Sequence, residues 1–225
     1  MRNILVVAAH SDDEALGCGG TIAALAAAGN EVHTVFLTDG VGARIAQDSM
    51  AEAERRRRAS DAAGRVLGVS SSVHFDFPDN RLDSVALLDV VQAVERVIVD
   101  VGPEVIFTHA ADDLNVDHRI CHQAVLTACR PQPGHTVNSI FGFEVPSSTE
   151  WAFSSRQFDP VYFVDISDHL EVKMKALNEY RDEMREPPHP RSLSRVEALA
   201  RWRGATVGCD AAEAFTVIRQ IVKEG

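Results

Sequence analysis

The chain has 225 residues, long enough for one sizeable hydrophobic core and short enough that one or two domains exhaust the options. Its formal charge of −11 excludes a general affinity for nucleic acid or an anionic membrane surface, and leaves small-molecule recognition to local charge. With 45% hydrophobic and 24% charged residues it reads as a soluble globular protein, and no apolar run approaches the length of a membrane span.

In chain order, residues 3–8 read as a buried strand. The alanine-rich stretch Thr21 to Ala28 is a helix closed by Gly29-Asn30, a common stop signal. Val32 to Leu37 is a second strand, leading into Thr38-Asp39-Gly40. A polar helix runs from about Asp48 to Leu67 and stops at Gly68. Val73 to Phe77 is a strand, Ser84 to Val99 an amphipathic helix, Val105 to Thr108 a strand, and Val116 to Cys129 a helix. Repeated strand and helix with connections of this length imply a Rossmann-like, doubly wound, mainly parallel sheet with helices on both faces, an α/β fold. The second half is less regular. Asn138 to Val145 and Pro160 to Asp165 are predicted strands; His169 to Met184, Leu193 to Arg203 and Asp210 to Val222 are predicted helices. Glu186-Pro187-Pro188-His189-Pro190-Arg191 breaks the helical pattern. No repeat, low-complexity tract or linker divides residues 1–225, so a single domain is expected.

Cys18, Cys121, Cys129 and Cys209 are scattered without paired spacing. They read as reduced thiols of a cytoplasmic protein, with Cys18 a small buried residue. The apolar part of Met1 to Val7 is too short for a signal peptide, and an acidic motif follows it at once.

That motif is Ala9-His10-Ser11-Asp12-Asp13-Glu14, one imidazole and three carboxylates directly after the first strand. The carboxyl end of a strand is where open α/β proteins place chemistry. His10 and Asp13 are three apart, so one turn of backbone aims both at a common point. Asp12 projects elsewhere and stays free for a second task. Imidazole plus carboxylate is an ordinary ligand pair for a divalent cation, zinc above all. A second cluster, Thr108-His109-Ala110-Ala111-Asp112-Asp113-Leu114-Asn115-Val116-Asp117-His118, also follows a predicted strand. It offers His118 as a third ligand, and three protein ligands plus one open position is the usual plan of a catalytic zinc site. Leu16-Gly17-Cys18-Gly19-Gly20 does not have the glycine spacing of a dinucleotide site.

Ala9 to Glu14 resembles the Ala-His-Pro-Asp-Asp-Glu signature of the zinc de-N-acetylase family, which includes the deacetylases of glycosylphosphatidylinositol, mycothiol and bacillithiol synthesis. Asn115-Val116-Asp117-His118 resembles the family's second, His-Pro-Asp-His-like element, and Arg55 to Gly68 its arginine-rich helix ending in Leu-Gly. The resemblance covers residues 1 to about 130. It implies that His10, Asp13 and His118 bind Zn2+ or another divalent metal, that Asp12 is the general base, and that Asp117 is an orienting carboxylate. Zinc lowers the pKa of water to about 7 and polarises a carbonyl, which suits hydrolysis of an acetamide. The implied substrate is a small N-acetylated amino sugar or its conjugate, such as an N-acetylglucosamine derivative.

Two positions depart from the family pattern. Ser11 replaces a proline, which affects loop stiffness more than chemistry. Asn115 replaces a histidine; it can donate a hydrogen bond to an oxyanion but cannot shuttle a proton. Asp12 after protonation, His109 and His189 are the candidate acids. Substrate contacts are sought in Arg56, Arg57, Arg81, His109, His189 and Arg191, the arginines for an anionic group. Ser147 to Trp151 offers hydroxyls and an indole as a wall for a sugar ring. Glu14 and His122 read as structural. Hydrolysis of another amide or a phosphoester, and a sugar-binding module without turnover, are the alternatives. Whether copies of the chain form a homo-oligomer is left open by the sequence.

Overall fold

The computed structural model describes residues 1–41, 49–152 and 157–222, with the side chains of residues 49 and 50 excepted. Among the described residues, seven strands and six α-helices follow in the order β1 (Asn3–Ala8), α1 (Asp13–Ala27), β2 (Glu31–Thr38), α2 (Ser49–Leu67), β3 (Ser71–Phe77), α3 (Leu87–Val101), β4 (Val105–His109), α4 (Val116–Ala128), β5 (Ser139–Phe143), β6 (Tyr162–Asp165), α5 (Leu170–Glu179), α6 (Leu193–Val207) and β7 (Ala212–Gln220). Asp48, the expected start of α2, lies outside the described residues. No helix among the described residues is long and apolar enough to cross a membrane.

One sheet holds all seven strands in the order β3-β2-β1-β4-β5-β7-β6. The first five are parallel; β7 runs antiparallel to both β5 and β6. The expected Rossmann-like, doubly wound α/β fold is the fold observed. Strands buried on both faces alternate their side chains between two cores. Ile4 and Val6 of β1 meet Leu16, Ile22, Phe107, Phe141 and Phe215 on one face. Leu5 and Val7 meet Val35, Val90, Val94, Ile106 and Val125 on the other.

Two expectations fail. Asp210 to Val222 was expected to be helical and instead forms β7. Its Ala-Glu-Ala start favours a helix, but Phe215, Thr216, Val217 and Ile218 suit a strand, and pairing with β5 and β6 decides the outcome. The first helix was expected from Thr21, and it starts at Asp13. It is broken at Cys18 (φ −146°, ψ 22°), so the glycines that obscured it lie in and beside a kink. Two of these glycines are required for close packing. A Cβ on Gly17 would sit 2.3 Å from the Phe143 ring, and one on Gly20 2.6 Å from Ile166.

Strand order turns between β1 and β4: β2 and β3 extend to one side, β5 to the other. Loops leaving β1 and β4 therefore diverge and open a crevice, the place where α/β sheets bind ligands. Both acidic clusters lie there. The Ala9 peptide is pinned across the mouth: its N–H donates to His109 Nε2 (2.9 Å), and its carbonyl accepts from the Thr38 amide (3.0 Å) and hydroxyl (2.9 Å).

Candidate active site

His10, Asp13 and His118 converge. His10 Nδ1 and Asp13 Oδ2 are 3.1 Å apart, His118 Nε2 and Asp13 Oδ2 3.3 Å, and His118 Nε2 and His10 Nδ1 3.3 Å. All three residues are buried. A tetrahedral cation with ligand bonds of about 2.0–2.1 Å requires donor atoms about 3.3 Å apart. The triangle has that edge. Asp13 Oδ1 is buried without a hydrogen-bond partner, so the carboxylate has capacity to spare. Two imidazoles and a carboxylate are a donor set zinc accepts, and the residues present fit such an ion.

The other ring nitrogen of each histidine is engaged by carboxylates. His10 Nε2 meets Asp79 Oδ1 at 3.1 Å and Asp117 Oδ2 at 3.2 Å. His118 Nδ1 meets Asp113 Oδ1 at 3.1 Å. Such contacts hold the ring's tautomer and make its free nitrogen more basic. Asp117 also accepts the amides of Asn80 (2.6 Å) and Leu82 (3.0 Å), which ties the turn after β3 to the site. Asp113 accepts the hydroxyls of Ser148 and Thr149 and the Asn115 amide.

Charge follows from these contacts. Burial lowers the basicity of His10 and His118, but the surrounding carboxylates outweigh it: Asp117, Asp13 and Asp79 hold His10 well above its ordinary pKa, and Asp13 and Asp113 raise His118. Burial raises the Asp13 carboxyl, and the opposing pull of His118 and His10 holds it well below the usual range. Asp113, raised by burial and lowered more by His118 and the two hydroxyls, settles at about 2. The pocket is a nest of negative charge that a cation would neutralise.

Asp12 is not part of the donor triangle. It precedes α1 with φ 116°, a conformation that costs a non-glycine residue about 1–3 kcal/mol and persists where surroundings impose it. Its N–H donates to Glu14 Oε2 (3.1 Å), and its carbonyl accepts from Ala15 (3.1 Å) and Leu16 (2.9 Å). Its carboxylate accepts from Arg191 at 3.0 Å. Burial pushes the Asp12 carboxyl up to about 6 against the pull of Arg191, where a base works near neutral pH. Glu14, buried and raised to about 8, accepts the Tyr180 hydroxyl at 2.6 Å.

The structure gives several sequence-predicted site residues partners within the protein. His109 is fully buried, stacks on His118 with centroids 4.0 Å apart, and accepts the Ala9 amide. Burial and the neighbouring His118 keep it neutral, and it packs against the donor triangle from the core side. Asn115 caps α4: its Oδ1 accepts the Asp117 amide (2.8 Å) and its Nδ2 donates to Asn80 (3.2 Å). One N–H of the amide is used in this way, and the second remains available to donate. Arg57 pairs with Asp76 on the edge strand β3. Arg56 is tied to Glu183 at 2.7 Å. Arg81 is exposed in the turn whose flanking amides bind Asp117. His189 is exposed and accepts the Arg191 amide at 3.1 Å. His122 donates from Nδ1 to the His109 carbonyl (2.9 Å) and stands outside the donor triangle. Ser148 and Thr149, expected as a sugar wall, point their hydroxyls at Asp113. Sequence reasoning missed Asp79, Asp113 and Tyr180. Asp113 carried a weak signal, two residues before a helix cap and five before His118.

Enzymes that activate water at a divalent cation are built this way on open α/β sheets, and to that class the fold and the donor set point. Residues 5–129 match the family model of the GlcNAc-PI de-N-acetylases, and the chain belongs to that family. It is similar to the uncharacterized deacetylase YaiS of Escherichia coli (31% identity over 80% of this chain and 91% of that one) and to the diacetylchitobiose deacetylase of Thermococcus kodakarensis (30%; 83% and 72%). It is also similar to the 4-oxalmesaconate hydratase of Pseudomonas putida (30%; 78% and 72%). Among solved structures, the conserved protein TT1542 of Thermus thermophilus superposes with a TM-score of 0.77 at 26% identity, covering 100% of this chain and 98% of that one. The chain is an enzyme, a hydrolase of N-acetyl amides.

Proposed function

We propose that the enzyme removes the acetyl group from an N-acetylated amino sugar or its conjugate, with His10, Asp13 and His118 holding zinc and Asp12 as general base. The observation that carries this reading is the donor triangle of 3.1, 3.3 and 3.3 Å edges with a second carboxylate beside it. The family model is named for a GlcNAc substrate, and a relative acts on diacetylchitobiose; both support a sugar. When bound, zinc supplies a polarising charge for the carbonyl and acidifies water.

The chain's own residues do the rest. Asp12, held by Arg191, takes a proton from the attacking water. As the new C–O bond forms and the C–N bond breaks, that proton passes to the departing amine, leaving acetate and a free amino sugar. Asp12 returns it, because the Asn115 amide does not titrate and His109 is sealed below. Asp117 and Asp79 orient His10, and Asp113 orients His118. Four unpaired cysteines, three of them buried, suit a cytoplasmic location.

The test incubates zinc-loaded protein with N-acetylglucosamine conjugates and measures free acetate. Asp12→Ala abolishes release while zinc stays bound; retained turnover in that variant refutes the assignment. A second chemistry of the same site, water addition to a carbon–carbon double bond, is favoured by the similarity to the hydratase. Acetate release separates the two.

A further inference from the structure

Besides Arg191 at Asp12, the second half of the chain holds α1 and the turn before it through Lys173, Glu213 and Tyr180. Helix α1 is two pieces, Asp13 to Gly17 and Gly19 to Ala27, and the break at Cys18 strands backbone groups inside the core. Partners from outside the helix satisfy them. Lys173 of α5 donates from Nζ to the Leu16 carbonyl at 2.8 Å, and to Glu213 at 2.5 Å. Glu213 of β7 accepts the amides of Gly20 (3.0 Å) and Thr21 (2.7 Å), and so caps the second piece. Lys173 and Glu213 are each about 3% exposed at the side chain. Seven residues along from Lys173, just past the end of α5, Tyr180 donates to Glu14 at 2.6 Å. Glu14 in turn holds the strained Asp12 amide.

A buried ion pair is a poor source of stability, because removing two charges from water offsets their attraction. Fully paired, it is well suited to imposing one geometry. Here it fixes where α1 bends, and Tyr180 fixes the turn before the bend. That turn carries Asp12 and Asp13.

We propose that Lys173, Glu213 and Tyr180 are positioning residues: they clamp the first turn of α1 so that Asp13 meets the two histidines and Asp12 stands clear beside them. This rests on the metal-binding role given to Asp13 above. None of the three touches substrate. The C-terminal half, where the motifs run out, thus supplies the angle at which the N-terminal motif works.

The experiment compares Tyr180→Phe and Glu213→Gln with wild type after loading with Co2+. Three readings are taken: the visible ligand-field spectrum, retention of Co2+ against a chelator, and kcat and KM for acetate release. Tyr180→Phe removes one oxygen and keeps the ring, so it folds even where Glu213→Gln does not. Val97→Ala, in the core of the opposite sheet face, is the destabilised control and keeps the wild-type spectrum and kcat. The clamp predicts an altered spectrum, weaker Co2+ retention and a fall in kcat of about tenfold or more at unchanged KM, since misplacing a reacting group by about 1 Å costs up to about 100-fold. Wild-type spectrum and kcat in folded Tyr180→Phe overturn it. The spectrum needs no substrate: Co2+ bound at a nitrogen–oxygen site without acetate release sinks the deacetylase reading and leaves the clamp to be judged on the spectrum. A wild-type chain that takes up no Co2+ sinks both.

Discussion

Asp113→Asn is the sharpest perturbation of the site that leaves its ligands intact. Asp113 Oδ1 accepts from His118 Nδ1 at 3.1 Å, from the Ser148 hydroxyl and from the Asn115 amide at 2.8 Å; Oδ2 accepts from Thr149 at 2.7 Å. An asparagine with its oxygen in the Oδ1 place keeps the first three contacts. Its amide faces Thr149, whose hydroxyl can turn to accept. Shape and packing therefore survive. What disappears is the negative charge behind His118. A hydrogen bond to a charged partner contributes about 1.5–3 kcal/mol against about 0.5–1.5 for a neutral one, a loss of about 1–1.5 kcal/mol. Each 1.4 kcal/mol or so is a factor of about ten in affinity, so zinc binding weakens about tenfold, within the roughly 10–100-fold range found for such outer carboxylates. Competition against a chromophoric chelator measures it, with a melting curve alongside. Zinc affinity within twofold of wild type would refute the claim that Asp113 tunes His118. An affinity loss matched by collapse of the metal-free melting temperature would refute it too, by making Asp113 a scaffold residue alone.

Three other outcomes are expected. His109→Leu keeps the buried volume but leaves the Ala9 amide without an acceptor, which costs about 1–3 kcal/mol in denaturant unfolding; a neutral result would mean that Ala9 has another partner. Gly17→Ala drives a methyl against Phe143, and overpacking of this kind costs about 1–3 kcal/mol or more, read as a lower urea midpoint. Stripping zinc with a chelator ends acetate release and lowers stability by about 2.7 kcal/mol relative to protein in metal at about 100 times Kd. At about 2–4 °C per kcal/mol for a chain of this size, scanning calorimetry should find a drop of several degrees, and an unchanged melting temperature would show that these residues hold no ion.

The N-terminal half was legible because its signals are local. Apolar runs of strand length alternate with helical patterns, so sheet direction follows from connection length alone. His10, Asp13 and His118 could be picked out because each lies in the loop that follows a strand or in the first helical turn after it, and the strand order then brings both segments to one crevice. Side-chain partners across the crevice carry no such signal. Asp113 reads as a loop acid until Ser148 and Thr149 fold over it, and Asp79 as a turn residue until His10 lies 3.1 Å away. Asn115 and His109 look like free polar groups in one dimension; tertiary contacts occupy the first and bury the second.

Residue order by itself determined the α/β class and the place of both acidic clusters at strand ends, since each depends on neighbours within a few residues. Tertiary structure alone decided that residues 212–220 form a strand, that α1 breaks at Cys18, and which carboxylate serves which imidazole. Those outcomes turn on pairing between segments as much as 193 residues apart, as with Glu213 and Gly20, where the energy of the contact outweighs local preference.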